Sequence, residues 1–235
     1  MIERLARPAG SVLVAVAIAI TIVAAAVLPF LNPAWVAFAQ DRADATAWTG
    51  YSATELRIAT DAILADLVIG PPDFDVAVGG EPVLNTRERG HLTDVRGVFV
   101  ALAVLAAAAA AVLVLAVMRT RSGDEGRGRV WRAMRAGALG LMAAVGVIGV
   151  VGAVAFDRGF EVFHRLFFTG GTYTFDPRTE RLVQLFPQRF WFETSMALGL
   201  VVLVLAGVVA ALATRRLRAP RPSPTAVPAR LETAR

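Results

Sequence analysis

Four long apolar runs divide the chain: Ser11 to Leu31, Gly97 to Met118, Ala136 to Phe156 and Thr194 to Thr214. Each has about the 20 residues that a helix needs to cross a hydrocarbon core, and none carries a charge in its interior. The pattern predicts a membrane α-helical protein, a four-transmembrane-helix bundle forming a single membrane domain over residues 1–215. Residues 32–96 and 157–193 are then the outer segments, and residues 216–235, with no apolar periodicity and several prolines, form a disordered basic tail. Ala37-Phe38-Ala39 looks like a signal-peptide cleavage site. The run before it is longer than a signal-peptide core, however, and Pro29 and Pro33 intervene, so a retained anchor is expected.

The outer segments carry shorter periodicities. Ser52-Ala53-Thr54-Glu55 is a capping-box pattern, and Leu56, Ala59, Ile63 and Leu67 follow at helical spacing, which predicts an amphipathic helix over 53–67. Phe74, Val76 and Val78 alternate with polar or small residues up to Gly79-Gly80, and Val83-Leu84 follows, which predicts a hairpin. Tyr173 and Phe175 alternate before the Asp176-Pro177 turn, so a further short strand is expected to join it. The two outer loops thus form a small extracytoplasmic α+β layer. Within the spans, glycines at 137, 140, 146, 149 and 152 of the third and the alanine run 106–111 of the second allow close backbone approach.

Charge orients the bundle. Residues 119–135 hold six arginines against two acids and the tail from Arg215 holds six against one, whereas residues 32–95 hold ten acids against four arginines. Short arginine-rich loops stay in the cytoplasm, so both termini are expected inside a bacterial cell membrane and the two outer segments outside. All 24 basic residues are arginines. They flank membrane spans and do not cover a contiguous soluble face, so the basic balance does not point to nucleic acid. The absence of cysteine excludes disulfide staples, a thioester-forming nucleophile and thiolate metal ligands.

Only two histidines are present, and both fall where a span meets water on the outer side: His91 in Arg89-Gly90-His91-Leu92-Thr93-Asp94-Val95-Arg96, and His164 in Phe163-His164-Arg165-Leu166-Phe167-Phe168. Imidazole is the side chain best suited to proton transfer near neutrality. Asp94, three residues after His91, shares its helix face and is a candidate to orient that ring; as a first-turn acid it equally suits a helix N-terminus. His164 among phenylalanines also fits an interfacial aromatic belt, and Arg96 and Arg165 also fit lipid-phosphate contacts. A metal site from His91, His164, Asp94 and Glu161 would lack any close ligand motif, and no Gly-x-Ser-x-Gly elbow supports serine catalysis. No metal or cofactor is expected.

These strings, together with Tyr51-Ser52-Ala53-Thr54-Glu55-Leu56 opening the outer helix and Leu185-Phe186-Pro187 before the fourth span, resemble a four-span bacterial family, the lipoprotein intramolecular transacylase (Lit) family, in order and topology over roughly residues 10–215. Leu92 departs from a common aromatic, the middle loop is arginine-rich and the basic tail is long. The resemblance implies an acyltransferase that moves the sn-2 acyl chain of a diacylglyceryl-modified lipoprotein to the α-amino group of its N-terminal cysteine, giving the lyso-form, at the extracytoplasmic face. It implies His91 and His164 as the catalytic pair. Such a transfer needs a base for the amine, an acid for the leaving oxygen and donors for the oxyanion. Candidates for the last are Arg96, Arg165, Tyr173 and the amides around Gly170-Gly171. The implied partners are the lipoprotein N-terminus and membrane lipid. The competing reading is a non-enzymatic membrane assembly factor or lipid-binding sensor; an enzyme requires the two rings to converge, and a scaffold does not.

Overall fold

The computed structural model describes residues 2–120, 123–168 and 173–219, with side chains from residue 9 onward. In chain order the elements are α1 (Ile2–Val27), α2 (Pro33–Arg42), α3 (Ala45–Thr49), α4 (Ala53–Val68), β1 (Ala77–Val78), β2 (Glu81–Pro82), α5 (Thr86–Arg119), α6 (Asp124–Phe167), α7 (Arg181–Leu185) and α8 (Gln188–Arg218). Four helices are long and apolar enough to cross a membrane, and they contain the four runs read from the sequence, the first completed by a 3-10 turn, Leu28–Leu31, after α1. All but the first extend well past the hydrocarbon. At about 1.5 Å per residue, α6 is roughly 66 Å long, about twice the depth of a hydrocarbon core, and it does not continue straight. Ala155 leaves helical geometry (φ −140°, ψ 43°), and the helix kinks there. α8 continues to Arg218, so the start of the expected tail is helical; residues 220–235 lie outside the described residues.

Two separate cores result. Ile18, Ile22 and Ala26 of α1, Ala138 of α6 and Val202, Ala206 and Ala210 of α8 form the core of the spans. α5 packs mainly along α1, and α6 along α1 and α8, so α5 and α6 meet over little of their length. This corrects the expected close approach of the second and third spans. A Cβ at Gly140, Gly146 or Gly149 would meet nothing within 4 Å, whereas one at Gly137 would lie 2.2 Å from the Ala15 carbonyl oxygen. The close approach is therefore at one glycine, between α6 and α1. Of the alanine run only Ala109 is buried.

The second core belongs to the outer layer. Leu56, Ile63, Phe74, Val76, Val83, Leu84, Leu92, Leu182, Leu185 and Phe190 pack together as in a small soluble domain. α4 begins on a complete capping box between Ser52 and Glu55 and buries Leu56, Ala59 and Ile63, as its spacing predicts. The hairpin is shorter than expected, two residues a side, with Ala77 opposite Pro82 and Val78 opposite Glu81. Gly79 and Gly80 supply the positive φ of +61° and +84° that a tight turn of this hand requires. Phe74 also has a positive φ, 50°, a conformation costing a bulky residue about 1 kcal/mol or more; its side chain is fully buried, which holds it there.

No third strand joins the hairpin among the described residues. The segment after Tyr173 turns at Asp176, whose backbone N–H donates to Glu180, so its backbone is used by a turn and not by a ladder. Helices α2, α3 and α7 do not show in the hydrophobic periodicity because they are short. Their anchors are polar: buried Gln40 of α2 donates to Thr60 at 3.0 Å and to the Leu185 carbonyl at 2.9 Å, and Arg42 meets Glu193 of α8 at 2.5 and 3.1 Å.

Candidate active site

His91 sits in the second turn of α5, and the start of that helix is tightly fixed. Asn85 accepts from the Arg87 and Glu88 amides while Glu88 accepts from the Asn85 amide at 2.7 Å, forming a second capping box. The other Glu88 oxygen accepts from the Leu182 amide at 2.7 Å. This carboxylate is only 1% exposed, so its two charge-assisted bonds join the first turn of α5 to α7 in a desolvated setting. Arg87, one residue earlier, pairs with Glu180 and lies 5.0 Å from the centre of the Phe175 ring. Phe175 in turn packs edge-on against His91, 5.5 Å centre to centre.

His164 arrives from the other direction. It lies beyond the kink of α6, on a segment with Asp157, Arg158, Glu161 and Arg165 on one face and exposed Phe163, Leu166 and Phe167 on the other. That amphipathic character suits a helix lying at the membrane surface. Beyond the kink, His164 comes to rest on His91 with ring centres 5.9 Å apart and planes 22° from parallel. Phe168 packs against both rings, at 4.8 Å from His91 and 5.4 Å from His164. Phe160 and Tyr173 also contact His164, at 4.2 and 5.2 Å.

The hydrogen bonds distinguish the two rings. His164 Nδ1 lies 2.8 Å from the Phe160 carbonyl oxygen. A carbonyl only accepts, so Nδ1 carries the proton and Nε2 is left with its lone pair. His91 Nδ1 is buried with no hydrogen-bond partner, an unusual state for a buried polar atom and one that a bound group or water would relieve. Both histidines lie outside the apolar runs, His91 before Gly97 and His164 after Phe156. Burial lowers the pKa of each below the usual imidazole value. For His91 the fall reaches about 4, with the neighbouring His164 adding to burial and Asp94 opposing it. Both rings are therefore neutral at neutral pH.

The sequence profile of the lipoprotein intramolecular transacylase family, Lit, matches residues 12–191. The chain belongs to the Lit family. Its fold is also that of the Lit structure from Bacillus cereus determined in meso, with a TM-score of 0.77 at 18% identity over 90% of this chain and 95% of that one. Two further structures of that protein, with a histidine replaced by alanine or by arginine, give TM-scores of 0.74 and 0.69 at 17% identity over 92% of this chain, and over 96% and 94% of theirs. No curated protein sequence matches the chain.

In this Lit-family chain the remaining candidates from the sequence fall into different places. Tyr173 is at the site, against His164. Asp94 is exposed and makes no hydrogen bond to His91, so it acts on the ring only through space. Arg96 is turned away: its guanidinium donates to the Asp66 and Gly70 carbonyls, closing the C-terminal end of α4. Arg165 forms an exposed ion pair with Glu161, one turn away on the same helix. Arg96 is thereby committed to the end of α4, and Arg165 points to the surface and not toward the two rings. The Gly170-Gly171 amides lie outside the described residues. Among the described residues no three of His, Asp and Glu gather where a metal ion would sit.

The support for the histidines was only partly read from the sequence. Asn85-x-x-Glu88 repeats the capping-box pattern used for α4, so the tie at Glu88 had a visible signal. The Glu180–Arg87–Phe175 chain joins the two outer segments and has no local signature.

Proposed function

We propose that His91 and His164 catalyse O-to-N acyl transfer on a diacylglyceryl-modified lipoprotein, moving the sn-2 acyl chain to the α-amino group of the N-terminal cysteine. The observation that carries this reading is the convergence of the chain's two histidines from separate membrane helices into one buried, aromatic-walled contact. A scaffold or sensor has no need for that convergence.

The neutral amine attacks the sn-2 ester carbonyl, a C–N bond forms, and the bond between the carbonyl carbon and the sn-2 oxygen breaks, leaving that oxygen on the glyceryl carbon. His164 Nε2, whose lone pair is left free by the Phe160 bond, takes the proton from the amine nitrogen. The same proton passes to the leaving oxygen, which becomes the 2-hydroxyl, so atoms and charge balance without an external donor. His91, whose Nδ1 is unpaired, is the second imidazole in contact with the reacting groups and hydrogen-bonds the ester oxygens. Amine and ester belong to one molecule, so holding both beside the rings supplies the proximity gain. Such proton transfer by a positioned imidazole is worth about 10²–10⁴-fold.

The site is proposed to face the extracytoplasmic side with both termini inside. The supporting geometry is that Arg216 of α8 packs on Trp131 of α6, while the start of α1 meets the end of α5 and the start of α6 at that same arginine-rich end. The largely open flanks of α5 and α6, with Val104 and Leu105 of one and Val147 and Ile148 of the other exposed, leave room for the substrate's acyl chains in lipid. Mass spectrometry of lipoprotein N-terminal peptides, in a host without other N-acylation activity, tests the reading. Cells with this protein are expected to yield N-acyl, mono-O-acyl termini; only diacylglyceryl termini with a free amine would refute it.

A further inference from the structure

The end of the bundle opposite the histidines holds a cavity. The first described turns of α1, the last turn of α5 and the first turns of α6 line an open cleft of about 380 Å³ there. Val14, Ala116 and Ala133 give it an apolar wall, and Arg119 of α5 and Arg129 of α6 stand on it. Neither guanidinium has a hydrogen bond or ion pair with any described residue. Of the acids in the adjacent turn of α6, Asp124 is engaged by Arg127 at 3.7 Å, and neither it nor Glu125 borders the cavity. On the α1 side the wall is cut back, since a Cβ at Gly10 would meet nothing within 4 Å.

Two unpaired guanidinium groups from different helices on one cavity suit a phosphate, to which arginine presents a planar fork of donors. Their position also matters. Arg119 ends the apolar run of α5 and Arg129 precedes that of α6, which sets both at headgroup depth, and the wall below them is continuous with the spans. A soluble phosphate would use the arginines and leave the apolar wall unused. Basic pockets between membrane helices bind anionic headgroups in this way.

We propose that this cavity binds an anionic phospholipid of the leaflet opposite the histidines, with its phosphodiester on Arg119 and Arg129 and the start of an acyl chain against Val14, Ala116 and Ala133. In the orientation proposed above this is the cytoplasmic leaflet. The site is separate from the acyl-transfer site and does not depend on that assignment.

Native mass spectrometry of the full chain purified in detergent tests it, with titration by phosphatidylglycerol and by phosphatidylcholine. At the usual worth of a basic residue facing anionic lipid, two arginines correspond to about a thirtyfold preference for phosphatidylglycerol. Arg119→Gln with Arg129→Gln should abolish that preference. Gly10→Leu should weaken binding by filling the cavity with both charges intact, and Arg215→Gln with Arg218→Gln, outside the cavity, should leave it unchanged. The proposal is overturned if the Arg119/Arg129 variant or Gly10→Leu binds like the parent protein, or if the Arg215/Arg218 variant loses as much. It is also overturned if millimolar inorganic phosphate displaces the lipid from the parent protein, since the site is then one for a free anion.

Discussion

His91 and His164 are stacked 5.9 Å apart between their ring centres, and a proton on either ring opposes a proton on the other. At an effective dielectric of about 20, two unit charges at that separation repel by about 3 kcal/mol. Together with burial, this keeps the pair neutral or singly protonated. The relationship suits a site that holds one proton transiently between an amine and a leaving oxygen.

Neutral rings shift the pH dependence to the substrate. The pKa of each histidine is lowered, so the neutral form is lost only as pH falls, for His91 near 4. The α-amino group, with an ordinary pKa of about 7.7 to 8.0, is largely protonated below that range. The transfer rate is therefore expected to rise with pH from 6 to about 8 and then level. The rising limb therefore reports the substrate amine and not an imidazole. Initial rates across pH on a synthetic diacylglyceryl peptide check it, and levelling already near pH 6.5 would show a titrating imidazole instead.

Arg96 and Arg165 are expected to behave as structural residues. Arg96→Ala leaves the Asp66 and Gly70 carbonyls without their donor and should cost about 1–3 kcal/mol of stability. Arg165→Lys keeps an exposed pair with Glu161 and should change stability by less than about 1 kcal/mol. Thermal unfolding in detergent measures both. A large loss of transfer activity in a fully folded Arg165→Lys protein would return that residue to the site.

Glu88→Gln should lower stability and activity together. The carboxylate accepts from two backbone amides, at Asn85 and Leu182, and an amide side chain offers one acceptor oxygen for the two. A buried N–H left unpaired costs about 1–3 kcal/mol, and either loss loosens the tie between α7 and the turn before His91. Unfolding and transfer rates on the same preparation check this. Unchanged values in both would mean that the tie does not position the helix.

Gly137→Ala should disrupt the α1–α6 contact, because the new Cβ would fall 2.2 Å from the Ala15 oxygen and 2.7 Å from Ile18 Cγ2. Gly149→Ala, with nothing within 4 Å of its Cβ, is the matched control and should be neutral. Accumulation in membranes and unfolding temperature separate the two.

The fold was legible wherever one periodicity dominated. Twenty-residue apolar runs have few alternatives in water or lipid, and α4 announces itself through Ser52-x-x-Glu55 and its apolar spacing. The short helices α2, α3 and α7 were not legible because partners distant in sequence hold them, as Leu185 holds Gln40. At the site, the scarcity of histidine and the common side of both residues singled out His91 and His164. Their contact was not readable, because it depends on the break at Ala155, in a stretch whose glycines, alanines and valines carry no kink signal such as proline. Arginine is the case where sequence position misled. Arg96 lies five residues from His91, yet its long side chain reaches back to the end of α4.

The most direct test is conversion of a synthetic diacylglyceryl peptide by purified parent, His91→Ala and His164→Ala proteins, read by mass spectrometry with unfolding temperatures measured alongside. The parent is expected to give the N-acyl, mono-O-acyl product, and each variant is expected to remain folded while its rate falls by about 10²–10⁴-fold. Conversion at the parent's rate by a folded variant of either histidine would contradict the assignment of the pair as the catalytic centre.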